Sequence, residues 1–386
     1  MKDVNKRNIN IDFIRVVAVF FVISVHFFMN VNYYGEIFAG KRMFIFTCLR
    51  TLSMVCVPLF LLLTGYLMKD KTLSKKYYKG IINILEIFLL SSILCILFNM
   101  YHFDVEITLK SAVLSILDYT GGPYSWYIEM YIGLFLLIPF LNIIWKNLES
   151  KKQKKILIIT LIILTVLPTL FNIYDWKTPG FFLNPTLSTT YQPLLPKWWI
   201  NIYPITYYFI GSYINEYNVK IDKNKNLFLL FLFILIFSIF NFYRNYNHSF
   251  DYGIYTSWNS FENVIISVLV FIFLLNLKLT KLNLFFKKII IKIAELSLGT
   301  YLLSYIADKL FYPILLENVE SVKLTLNYFL PFVIFIFIYS NLLSYILFIL
   351  IKIYKKIILI IYSMFKKIFK TFKIKSKYFL IKEKVR

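Results

Sequence analysis

Arg15 and His26 stand eleven residues apart in an apolar run, "DFIRVVAVFFVISVHFF", that is long enough to cross a bilayer. At about 100° per residue, eleven steps make three turns and about 20°, so both side chains share one helix face. A rise of about 1.5 Å per residue separates them by about 16 Å. An arginine at the centre of a spanning helix costs roughly 2.5–3.5 kcal/mol on insertion scales, so it faces a partner or a cavity. Asp12, three residues before Arg15, offers such a partner. Histidine exchanges protons near neutral pH. A snorkelling arginine beside a packed histidine is the plainer alternative. Two ionisable groups on one face favour a path through the membrane.

Three further groups carry chemistry. Trp126 and Tyr127 open an apolar segment at its outer end, as an aromatic belt or as a wall for substrate. Glu129 follows within the same segment, as an acid or base or as a partner for a cation. Lys76 and Lys79 precede the third apolar segment. Metal chemistry is not expected, because the chain has three histidines and neither a CxxC nor an HExxH pattern. Cys48, Cys56 and Cys95 lie in apolar segments and read as small buried hydrophobes.

The elements that must hold these residues are membrane spans. Of 386 residues, 59% are hydrophobic and 16% charged, the profile of an all-α polytopic bundle. Ten apolar segments can be drawn, at roughly 10–30, 45–67, 80–101, 125–145, 155–173, 199–216, 226–243, 259–277, 293–315 and 325–351. The first is a span and not a cleaved signal, because its apolar run is full length and no A-x-A-like site follows. Lys and Arg crowd the N-terminus and alternate loops, around 69–79, 146–155, 220–225 and 278–292. The positive-inside rule then places those loops and both termini in the cytoplasm. The net charge of +23 follows from these lysines, and nucleic-acid binding is not expected. Residues 1–351 form the membrane domain. Residues 352–386, with lysines mostly three or four apart among Ile, Leu and Phe, read as a basic amphipathic tail on anionic lipid.

The opening motif resembles the first helix of integral membrane acyltransferase family 3, whose mark is an Arg and a His separated by ten residues after an acidic residue. Later blocks follow in the family's order. "VPLFLLLTGYLM" (57–68) resembles the second-helix block, with Thr64 for the usual Ser. "KKYYKGI" (75–81) resembles the basic approach to the third helix, with lysines for arginines. "SWYIEMYIGLFLLIPFLN" (125–142), "YYFIGSYI" (207–214) and "LSLGTYLLSY" (296–305) resemble the later blocks. Two departures stand out. Tyr124 and Ser304 occupy places where related sequences often have histidines.

The resemblance implies an O-acyltransferase that uses cytoplasmic acyl-CoA, with acetyl as the expected group and succinyl a variant. The implied acceptor is a hydroxyl of a cell-surface polysaccharide or its lipid-linked precursor. His26 would activate that hydroxyl or relay the acyl group. Lys76, Lys79 and Arg15 would meet the CoA phosphates, although the lysines serve equally as topology signals. Trp126, Tyr127 and Glu129 would face substrate. The outer loops 174–198 and 243–259 are the longest candidates for acceptor contact. The competing expectation is a polysaccharide-export component on the same scaffold.

Overall fold

The computed structural model describes residues 7–188 and 190–383, with side chains described as far as residue 361. Fourteen α-helices run in order: α1 Ile9–Asn30, α2 Gly40–Ser53, α3 Cys56–Met68, α4 Lys75–Tyr78, α5 Ile82–His102, α6 Leu109–Leu117, α7 Trp126–Asn147, α8 Lys151–Thr165, α9 Pro168–Phe171, α10 Tyr203–Glu216, α11 Lys223–Arg244, α12 Phe261–Leu275, α13 Leu284–Glu317 and α14 Phe329–Glu383. No strand forms among the described residues, and nine helical segments are long and apolar enough to span a membrane. The chain is an all-α polytopic bundle.

Three segments differ from the sequence expectation. The span drawn over 45–67 is two helices, α2 and α3, broken at Met54 and Val55. Pro58 explains the break: it donates no N–H, and its ring would clash with the carbonyl four residues earlier. The segment 199–216 is a 3₁₀ turn followed by α10, whose 14 residues reach only about 21 Å. Most of α10 is buried in the bundle, so a short helix suffices there. The last segment does not end at 351. α14 continues as one helix of 55 residues to Glu383, joining the span to the described part of the tail; the tail lysines beyond residue 361 have side chains outside the described residues.

Two contacts set the frame around α1. Asn10 donates from Nδ2 to the carbonyls of Leu274, Leu275 and Leu277, and so caps the end of α12. α3 and α10 approach at backbone distance. A Cβ on Gly65 would overlap the carbonyl of Tyr208, and one on Gly211 would overlap that of Leu62. Ser212 Oγ seals the crossing with a hydrogen bond to the Gly65 carbonyl at 3.1 Å. Such small-residue contacts let membrane helices pack where apolar burial gives little advantage over lipid. α13 lies along α1 and packs on α14, where Ser344 Oγ donates to the Leu296 carbonyl.

Candidate active site

A cavity of about 400 Å³ runs beside α1, walled by α3, α7 and α13. Arg15 lines one part and His26 another, with Val22 and Val25 between them on α1. Its walls are mainly apolar. Exposed residues occur at both ends: Leu67 on the Arg15 side, and Met29, Pro123 and Trp126 on the His26 side. The helical period that predicts a shared face for Arg15 and His26 is therefore realised as one continuous space.

His26 is almost fully buried. Its Nδ1 stands 3.5 Å from Asp308 Oδ2 and 3.4 Å from Ser304 Oγ, both on α13. Its Nε2 makes no hydrogen bond within the described residues. Asp308 is completely buried, and its Oδ1 has no partner among the described residues. A carboxylate beside one imidazole nitrogen favours the proton there and leaves the other nitrogen as a base. Tyr124 closes the group from the segment before α7. Its ring lies on the imidazole with centroids 3.8 Å apart, and its hydroxyl donates to Asp308 Oδ2 at 2.8 Å. Burial, reinforced by the Asp308 charge, pushes the Tyr124 phenol well above its ordinary range, so it remains a donor. Tyr301 from α13 donates its hydroxyl to the Tyr124 carbonyl and fixes this segment. The two positions that depart from the family pattern, Tyr124 and Ser304, both meet His26.

At the other end, Asp12 holds two arginines. Arg7 binds it through Nε and Nη2 at 2.6 and 2.9 Å, and Arg15 through Nη1 at 2.8 Å. Arg7 also reaches Glu295 at 2.9 Å. The Asp12 carboxylate is buried, whereas the Arg15 side chain stays 29% exposed and lines the cavity. Among the described residues Arg15 thus keeps donors free for an anion while its position is set from one side.

The remaining predicted residues divide. Trp126 and Tyr127 line the cavity; Lys76, Lys79 and Glu129 do not, and all three are exposed. Tyr127 and Tyr131, four apart, share the cavity face of α7, and Glu129 midway between them turns to the opposite face. Two residues went unnoticed in the sequence. Asp308 carried a usable signal, an acid within an apolar span. Trp258 closes the loop 243–259 and stacks on Trp126 at 5.8 Å with 14° between the rings. Its carbonyl accepts from Tyr207, and Asn259 beside it donates to the Thr165 carbonyl, so the segment is held firmly. Neither indole N–H of the pair is used within the described residues.

Comparison with curated proteins and with solved structures found no match. The family described as an acyltransferase domain matches residues 8–349, nearly the whole membrane bundle. With a buried histidine on a cavity inside that bundle and a carboxylate behind it, the chain belongs to acyltransferase family 3 and is a multi-pass membrane acyltransferase.

Proposed function

We propose that the protein transfers an acyl group, acetyl in the first instance, from cytoplasmic acyl-CoA to a hydroxyl of a cell-surface glycan or its lipid-linked precursor. It does so in the cell membrane with both termini inside. The observation that carries this reading is the single cavity that joins Arg15 to His26. By the positive-inside rule the Lys-rich loops favour a cytoplasmic Arg15 end, the side on which acyl-CoA is found. Arg15 receives a phosphate of the donor, and the apolar walls accommodate its arm and acyl group. Lys76 and Lys79, exposed ahead of α5, raise the local concentration of the polyanionic donor.

The chemistry falls to His26. Nε2 takes the proton of the acceptor hydroxyl as its oxygen attacks the thioester carbonyl. The carbon–sulfur bond breaks, and the imidazolium returns the proton to the leaving thiolate, giving CoA and an ester. Asp308 stabilises the imidazolium between these steps. The general-base route is favoured over an acyl-histidine because the carboxylate at Nδ1 suits proton storage. On the acceptor side, the Trp126–Trp258 stack offers an apolar ring face and two unused N–H donors, which suits a pyranose.

Deletion of the gene tests the reading. The strain should lose ester groups from an envelope glycan that still reaches the surface. Full acylation with polymer retained inside would instead support an export role.

A further inference from the structure

We infer that Tyr124 is a positioning residue that holds Asp308 in place and thereby sets how strongly that carboxylate engages His26. The inference rests on the acyl-transfer reading above. It starts from an inequality at one oxygen. Asp308 Oδ2 accepts a hydrogen bond from Tyr124 at 2.8 Å, whereas His26 Nδ1 stands at 3.5 Å, beyond ordinary hydrogen-bond length. The buried carboxylate is therefore held by the phenol and only approached by the imidazole. Its Oδ1 has no partner, so the phenol is its one short hydrogen bond among the described residues.

The same residue controls the imidazole plane. Its ring lies against His26 at 3.8 Å, which limits rotation and keeps water from that face. Its main chain is tied to α13 through Tyr301. One side chain thus joins the start of α7, the histidine on α1 and the acid on α13. A charge buried in low dielectric needs a donor, and the phenol provides it without neutralising the carboxylate. When Nε2 takes the acceptor proton, the imidazolium draws Oδ2 closer while the phenol keeps its hold on that same oxygen. Histidine at this position would also supply an N–H donor and a flat ring. Tyrosine keeps both functions and adds no second base.

The test is a double-mutant cycle on the full-length protein in proteoliposomes. Labelled acetyl-CoA serves as donor, and envelope glycan from the deletion strain, unacylated by construction, as acceptor. Tyr124→Phe keeps the ring and removes only the hydroxyl. It should lower kcat by about ten- to a hundredfold, the range expected for a hydrogen bond to a charged group, and leave the KM for acetyl-CoA unchanged. In an Asp308→Asn background the same change should cost little more, because the hydroxyl acts through the carboxylate. Tyr124→His should retain more activity than Tyr124→Phe. A Tyr124→Phe protein with wild-type kcat, or an equal loss with and without Asp308, would overturn the inference. Nitrogen-15 NMR of labelled histidine gives a readout that needs no acceptor. The His26 resonances should move in Tyr124→Phe, and should not move when that change is added to Asp308→Asn. If the wild type transfers nothing to the glycan, the reading of a glycan acceptor fails, while the NMR cycle still decides whether Tyr124 holds Asp308 against His26.

Discussion

Trp126 and Trp258 stack with centroids 5.8 Å apart and 14° between their planes, although one begins α7 and the other ends a loop far along the chain. A residue of an aromatic belt faces lipid alone. These two face each other on the wall of the cavity that holds His26. The pair should therefore bind acceptor. Trp258→Ala is expected to raise the acceptor KM about tenfold, with acetyl-CoA affinity unchanged, because a stacked ring contributes on the order of 1 kcal/mol beyond its buried area. Unchanged acceptor KM in the proteoliposome assay would return the pair to a structural role.

His26→Ala should abolish transfer while expression and acetyl-CoA binding survive. Loss of a general base costs about 10²–10⁴ in rate. Isothermal binding of acetyl-CoA to detergent-purified protein, run beside the transfer assay, separates the two effects. Near-wild-type turnover would remove His26 from the chemistry.

Arg15 and Asp12 should behave differently from His26. Arg15→Ala removes the cation on the cavity and should weaken acetyl-CoA binding more than it slows saturated turnover. Asp12→Asn leaves Arg7 and Arg15 close together without their shared carboxylate. Both arginines stay 29% exposed, so the loss should fall below the roughly 3–5 kcal/mol of a fully buried pair but still lower thermal stability in detergent. A stable Asp12→Asn protein would mean that lipid or water replaces the carboxylate.

Lys76 and Lys79 lie outside the cavity wall, so their contribution should be long-range attraction. Changing both to Gln should slow donor association at low ionic strength and matter little at 0.5 M salt, where screening is strong. A loss of affinity that persists at high salt would indicate direct contact with the donor.

Gly65→Ala should destabilise the bundle whatever the function. Its Cβ would meet the Tyr208 carbonyl on α10, and backbone yields less readily than a side-chain tip. Overpacking of this kind costs about 1–3 kcal/mol, readable as a lower melting temperature. Unchanged stability would show that α3 and α10 can separate freely.

The sequence alone determined what depends on local period and composition. Arg15 and His26 share a face because a helix repeats every 3.6 residues. The spans follow from apolar runs, since a bilayer demands about 20 such residues whatever the fold. The family motif is legible for the same reason, because its opening mark lies within one helix. Even the break before α3 was written in Pro58, although the apolar run around it masked the signal. Tertiary structure decided the rest. Asp308 meets His26 only because α13 lies along α1, and Trp258 reaches Trp126 only because Tyr207 and Asn259 hold its loop. Glu129 looked equal to Tyr127 as a line of text, and half a helical turn put it outside the cavity. Periodicity states which residues share a helix face, but only packing selects which face meets which neighbour.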